Sequence, residues 1–357
     1  MDVINLVRDE IKKLIPYDAN QVECRIKLDA NESPYDMPDV IKTEVSKIFT
    51  DNTGINLYPD TDSTELREAL SRKWGIDKDM FVVGNGSDQI IQILTNTFIG
   101  KGDKVICPSP SFSMYGLSAR INGAETIDYK MKEENDFKFD ENEFIELCIK
   151  NNPKVIYICN PNNPTGGFIQ VATVRKIVGA CQNSIVVVDE AYNEFVNASC
   201  VDLLKDYKNL VILRTFSKAF GLAGVRCGYS IASLEISDFF NRVRPPYNLN
   251  SLTQRICTIT LKYQDLIDEY IGRINTDRNS LYESLLKVNS IKVYKTYANF
   301  FLIKVNNTAE VFQSLLKDGI LVRNYGNASD LKDFLRISVG NKEQNEALIR
   351  SLNKALL

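Results

Sequence analysis

The 357-residue sequence contains no histidine. That absence removes Ser-His-Asp and Cys-His chemistry and every His-containing metal site, so an enzyme built on this chain needs another base near neutral pH. A lysine with a depressed pKa is a natural candidate. Missing too is any apolar run of membrane-spanning length, and the start, MDVINLVRDEIKK, is amphipathic and charged, unlike a signal peptide. No basic surplus exists: 43 Lys and Arg stand against 46 Asp and Glu, a net charge of -3, which gives no general surface for nucleic acid. The eight cysteines, at 24, 107, 148, 159, 181, 200, 227 and 257, form no CxxC pairs, and we expect reduced core thiols and no metal. A cytoplasmic, globular protein is the expectation, with length enough for two domains.

What is present is organised around Thr215 to Arg226, TFSKAFGLAGVR. Lys218 follows two hydroxyls and precedes an apolar run, with Arg226 eight residues on. Burial and a nearby cation both lower a lysine pKa, and a neutral amine is what a Schiff base with an aldehyde requires. The arginine fork, with Thr215 and Ser217, suits a phosphate.

Along the chain, residues 1 to 16 read as a short amphipathic helix ended at Pro16, then a polar arm and the turn-rich LDANESPYDMP with Asn31 and Glu32. LYPDTDS places Tyr58 on a loop before a helix capped by Asp62 or Ser63, with Leu66, Ala69, Leu70 and Trp74 on its apolar face. FVVGNGSDQIIQILTNTF gives a strand, a glycine turn and a helix opening at Ser87 and Asp88; such a turn either binds an anion at Gly86, Ser87 and Asp88 or merely caps the helix. Strands are expected at 104–107, 125–129, 154–159, 184–190, 210–215 and 226–232, with helices at 141–150 and 171–182 among them. The alternation predicts a mostly parallel α/β sheet with ligands at its carboxyl ends.

Three strand ends matter. PSPSFSMY puts Tyr115 in a loop, where its ring either stacks on a flat ligand or joins the core. NPNNPTGG is a rigid turn able to present Asn163. Asp189 closes an apolar run, with Tyr192 three residues on; as an anion it needs a cation or strong donors, unless it is a helix cap. After Arg244-Pro-Pro a long helical region, roughly 248 to 287, leads to strands at 291–295, 300–305, 320–323 and 334–339 and helices at 308–317 and 342–355. This is an α+β layer in which Arg323 and Arg336 require anionic partners.

A dianion, a flat ring, a basic ring nitrogen, a phenolic oxygen and an aldehyde are together the features of pyridoxal 5′-phosphate. The set resembles the fold type I pyridoxal-phosphate enzymes. Through LDANESP, GNGSD, NPNNPTG, VVVDEAY, TFSKAFGLAGVRCGY and LRISVG it is most similar to the histidinol-phosphate aminotransferases.

The resemblance implies a large domain (46–245) with a mainly parallel seven-stranded sheet, a small α+β C-terminal domain (246–357), and an N-terminal arm (1–45) that completes it. It implies a homodimer in which Tyr58 reaches the partner's cofactor phosphate. It also implies catalytic Lys218, Asp189 and Tyr192, with Gly86, Ser87, Asp88, Tyr115, Asn163, Thr215, Ser217 and Arg226 around the cofactor. Tyr17, Asn31, Arg323 and Arg336 would hold substrate. The implied reaction moves an amine between histidinol phosphate and 2-oxoglutarate in histidine biosynthesis. An aromatic aminotransferase or a threonine-phosphate decarboxylase would share the cradle. IPYDAN and VRNYGN depart from the family's usual glycine after the tyrosine and from its VRP, and both bear on the substrate. An effector-sensing module of a transcription factor would carry a basic DNA-binding extension, which we do not expect here.

Overall fold

The computed structural model describes residues 2–14, 16, 22–50, 54–326 and 330–357. In chain order its strands are β1 (Ile26–Leu28), β2 (Phe81–Asn85), β3 (Lys104–Ser109), β4 (Glu125–Lys130), β5 (Val155–Cys159), β6 (Ile185–Asp189), β7 (Leu210–Thr215) and β8 (Cys227–Ala232), then β9 (Ile291–Val293), β10 (Phe300–Val305), β11 (Ile320–Asn324) and β12 (Phe334–Ser338). A seven-stranded sheet has the order β2-β8-β7-β6-β5-β3-β4. Only β8 runs against its neighbours; every other adjacent pair is parallel.

The near-continuous apolar runs of β5, β6 and β7 suit strands covered on both faces. Their side chains alternate accordingly. Val187, Val211 and Leu213 join Ile90, Leu94, Tyr115 and Phe240 in one core, while Val186, Val188, Leu210 and Ile212 join Phe144, Val174 and Ile177 in the other. The first core is roofed by helices Gly86–Phe98, Met114–Ile121 and Leu234–Val243, and the second by Glu141–Asn151 and Val171–Ala180. This period of two sends Asp189 toward the first core and Glu190 toward the second.

A second, five-stranded sheet has the order β1-β11-β12-β10-β9. β1 adds to it in parallel, pairing Ile26 with Ile320, so this part of the N-terminal arm is tied to the C-terminal part of the chain. Across β11 and β12, Arg323 lies directly opposite Arg336.

Three local expectations change. Residues 1 to 16 do not form one helix: a 3-10 turn at Val3–Leu6 and a single α-turn at Asp9–Lys12 are separated by extended Val7. Neither buries a residue, so no packed face offsets the cost of helix nucleation. The region 248 to 287 is two helices, Ser251–Leu261 and Gln264–Leu285, broken at Lys262 and Tyr263 without a Gly or Pro to mark it. The Thr64–Trp74 helix is capped by neither Asp62 nor Ser63; Ser63 is left-handed at φ 48, and Asp60 accepts from the Thr64 N–H at 2.6 Å instead.

Candidate active site

The carboxyl ends of the parallel strands open into a cavity of about 760 Å³. Its walls carry Ser87, Asp88, Asn163, Asp189, Tyr192, Thr215, Ser217, Lys218 and Arg226 from the large sheet and its loops, and Asn31, Arg323 and Arg336 from the small one. Residues expected from the sequence, from Asn31 near one end of the chain to Arg336 near the other, thus meet in one place.

One end is built for a dianion. Thr215, at the end of β7, donates to Ser217 Oγ at 3.0 Å, and the Ser217 N–H donates back to Thr215 Oγ1 at 3.1 Å. Arg226 projects its half-exposed guanidinium beside them, with Nη1 3.5 Å from Ser217 Oγ and Nη2 3.4 Å from Asp88 Oδ2. Its backbone is left-handed at φ 57, a conformation that costs an L-residue on the order of 1 kcal/mol. The facing helix begins at Gly86, where the first-turn N–H groups have no intrahelical partners. Close approach there demands glycine twice: a Cβ on Gly86 would lie 2.5 Å from Arg226 Nη2, and one on Gly228 would lie 2.3 Å from the Ser87 nitrogen.

Asp189 closes β6, level with Cys159 of β5. Its carboxylate is 3% exposed and meets only neutral donors, the Ala191 N–H at 3.0 Å and the Tyr115 hydroxyl at 2.7 Å. Burial pushes it up to about 6 despite both bonds. A cation placed against it would restore the charged form.

The neighbouring Glu190 points to the opposite face. There Arg214 meets it at 3.0 Å while lying 4.5 Å over the Trp74 ring, and Cys200 N–H and Ser199 add donors. It is a structural ion pair outside the cavity.

Lys218 donates to the Ala30 carbonyl at 2.7 Å. Burial first, then the Arg336 and Arg226 guanidiniums, pull its ammonium down to about 8, with Glu32 opposing. That value leaves an appreciable neutral fraction near physiological pH. Tyr192 accepts from Asn31 Nδ2 at 2.9 Å, and Asn31 is anchored by its N–H to Ser338 Oγ at 2.8 Å. Asn163 accepts from Arg336 Nη1 at 2.6 Å, while Arg336 Nη2 donates to the Asp29 carbonyl. The Arg336 Nε is buried and has no hydrogen-bond partner among the described residues.

Tyr115 is placed differently from the expectation. It sits within the Met114–Ile121 helix, wholly buried, its ring stacked on Tyr157 at 4.6 Å and 10°. It still lines the cavity, beside the half-buried ring of Phe112, which stands edge-on to it at 5.4 Å. Both aromatics occur in PSPSFSMY, and only the helix start decides which one faces the ligand.

Also unforeseen was Lys27, which lines the mouth and binds Glu32 at 2.5 Å and Asp29 at 3.0 Å. The KLDANE string carries this charge pattern in full view. Tyr58 is 81% exposed, stacks on Tyr247 at 4.5 Å and does not line this chain's cavity. Tyr17 lies outside the described residues.

The residues fit pyridoxal 5′-phosphate. Arg226, Ser217, Thr215 and the helix start suit its phosphate, and Phe112 suits its ring. Asp189 lacks the cation that a protonated ring nitrogen would provide, and Lys218 presents an amine of lowered pKa. Among the described residues no cluster suited to a metal ion is found, and no helix is long and apolar enough to cross a membrane.

Residues 24–352 match the family Aminotransferase class I and II. A histidinol-phosphate aminotransferase of Ruminiclostridium cellulolyticum is 45% identical over 347 residues, which cover 97% of each chain. One from Pyrococcus furiosus is 38% identical over 98% of each. Among solved structures, histidinol-phosphate aminotransferase from Sinorhizobium meliloti in complex with pyridoxal-5′-phosphate superposes with a TM-score of 0.89 at 21% identity, covering 98% of this chain and 97% of that one. The Clostridium acetobutylicum enzyme gives 0.84 at 26%, covering 92% and 98%.

Proposed function

The chain belongs to the class I and II aminotransferase family, and from that premise we propose that it is a pyridoxal-phosphate-dependent histidinol-phosphate:2-oxoglutarate aminotransferase of histidine biosynthesis. The observation that carries this reading is one cavity in which Lys218, Asp189 and Arg226 stand opposite two arginines, Arg323 and Arg336, that face each other across β11 and β12. Paired guanidiniums suit a phosphate monoester, and the same forks can take the carboxylates of glutamate. Relatives bearing the histidinol-phosphate aminotransferase name at 37–45% identity support the choice of substrate.

When bound, the cofactor supplies an aldehyde that takes up the substrate amine and a ring that accepts an electron pair. The protein's residues do the rest. Arg226, Ser217 and Thr215 hold the phosphate end, and Phe112 covers the ring. Asp189 keeps a proton on the ring nitrogen, which sustains the ring's capacity to accept charge. Asn163 and Tyr192 orient the phenolic oxygen. Lys218 Nζ, neutral in a sizeable fraction of molecules, would take the proton from the substrate's amine-bearing carbon and hand it to the cofactor's aldehyde carbon, ending neutral again. Arg336 and Arg323 fix the anionic end so that this carbon lies within reach of Lys218.

The same reading includes a homodimer. Tyr58 and Tyr247 form an exposed aromatic pair, with Ile55 and Leu57 also exposed, and such a patch suits a second copy whose cradle Tyr58 would complete. The division into an arm (1–45), a large domain (46–245) and a small domain (246–357) belongs to this proposal, as does a cytoplasmic location. A substrate panel tests it. Amine transfer from histidinol phosphate to 2-oxoglutarate is expected to exceed that from phenylalanine or tyrosine. Rapid turnover of the aromatic amino acids alone, or carbon dioxide release from threonine phosphate, would overturn it.

A further inference from the structure

Asp189 has one protein donor on each carboxylate oxygen. The Ala191 N–H on Oδ1 is a backbone contact that nearly any residue at that position would make. The Tyr115 hydroxyl on Oδ2 depends on a single side chain 74 positions upstream. That side chain has no freedom to leave. Its ring is 0% exposed, flat against Tyr157 and edge-on to Phe112, and Tyr157 is itself 1% exposed with its hydroxyl 3.5 Å from Thr95 Oγ1. Burial drives the Tyr115 phenol well above its ordinary range, so it remains a donor.

Other groups around the carboxylate do not replace it. Asp88 and Glu190 oppose its ionisation, and burial keeps the Cys159, Tyr157 and Tyr192 side chains protonated. A fixed donor to a buried carboxylate favours the charged form and holds one rotamer.

We propose that Tyr115 is a positioning residue for Asp189, its hydroxyl locking the carboxylate in the charged, cavity-facing orientation that a protonated ring nitrogen requires, while Phe112 supplies the covering ring. The inference rests on the pyridoxal-phosphate reading and assigns Tyr115 a role through its oxygen and not through its face.

Tyr115→Phe keeps both ring contacts and removes only the donor, so the variant folds with unchanged circular dichroism. The full-length protein stripped of cofactor is titrated by infrared spectroscopy, with the Asp189 carboxyl band assigned by its loss in Asp189→Asn. Wild type is expected to titrate near pH 6. Tyr115→Phe should titrate about one unit higher, a tenfold change in the protonation constant. Tyr157→Phe, which keeps the stack, should titrate like wild type.

Reloaded with pyridoxal 5′-phosphate at pH 7, Tyr115→Phe should bind it about twofold more weakly, because roughly half of the variant molecules and only about a tenth of wild type must first lose a proton from Asp189, and about tenfold more weakly at pH 5, below both midpoints. Its kcat should fall while KM for glutamate holds. An unmoved midpoint in Tyr115→Phe overturns the positioning role. If instead wild type itself takes up no pyridoxal 5′-phosphate, the cofactor reading fails, whatever Tyr115 does; if Asp189→Asn binds it as tightly as wild type, the carboxylate that Tyr115 is proposed to position has no part in holding the ring and the proposal falls.

Discussion

The two ends of the cavity are made by different means. The cofactor end is drawn from neighbouring strand ends of one sheet, Cys159 and Asp189 in register and Thr215 one strand over, with contacts that leave no room for a Cβ at Gly86 or Gly228. The substrate end joins β1, β11 and β12, from opposite termini of the chain, and its charges are already engaged by protein groups: Lys27 with Glu32 and Asp29, Arg336 with Asn163 and the Asp29 carbonyl. The carboxyl ends of adjoining interior strands therefore fix one end rigidly, whereas substrate binding at the other must exchange existing partners.

The contrast can be tested from its strongest effect downward. Lys218→Ala should lower amine transfer by about 10⁴-fold or more with the fold intact, measured by single-turnover kinetics and circular dichroism. Arg336→Ala should lower kcat/KM for glutamate by about 10² to 10³-fold, from a lost buried charge contact of several kcal/mol, while leaving cofactor affinity within a few-fold. If it abolished cofactor binding instead, the two ends would not be separable. Arg323→Ala should raise KM about tenfold for histidinol phosphate and less for glutamate, a difference that steady-state assays on both substrates would register.

The smallest effect is on stability. The folded Asp189 carboxyl titrates near 6, above its unfolded value, so its ionisation opposes folding fully above pH 6 and not at all below the unfolded pKa. Cofactor-free Asp189→Asn should thus be more stable than wild type at pH 7, by roughly 1–3 kcal/mol in urea unfolding, with the gain vanishing toward pH 4. No gain at pH 7 would mean that the carboxylate's cost is met within the empty site.

Much of the fold was legible because its signals are local. The apolar runs of β5 to β7 bounded by Asn160, Asp189 and Thr215 declare buried parallel strands, and the spacing of Lys218 from Arg226 keeps both on one loop after β7. Less legible was everything that depends on where a turn begins. Phe112 and Tyr115 are three residues apart, and the helix starting at Met114 placed Tyr115 in the core and left the Phe112 ring half-buried at the cavity. Asp60 displaced Asp62 and Ser63 as the cap: Ser63 is left-handed and its hydroxyl makes no bond to the helix start, while Asp60 accepts from the Thr64 N–H. The break at Tyr263 has no sequence mark at all.

By itself, then, the sequence determined the chemistry on offer. With no histidine, the amine of Lys218, the carboxylate of Asp189 and the guanidiniums of Arg226, Arg323 and Arg336 were the groups from which a site had to be made. The tertiary structure decided their state. Whether a carboxylate is an ordinary anion or one held near 6, and whether a lysine is a solvated charge or an amine near 8, depends on burial and on neighbours up to hundreds of residues away. Those neighbours are set by packing, and electrostatic energies in a desolvated cavity depend on distances that no local pattern encodes.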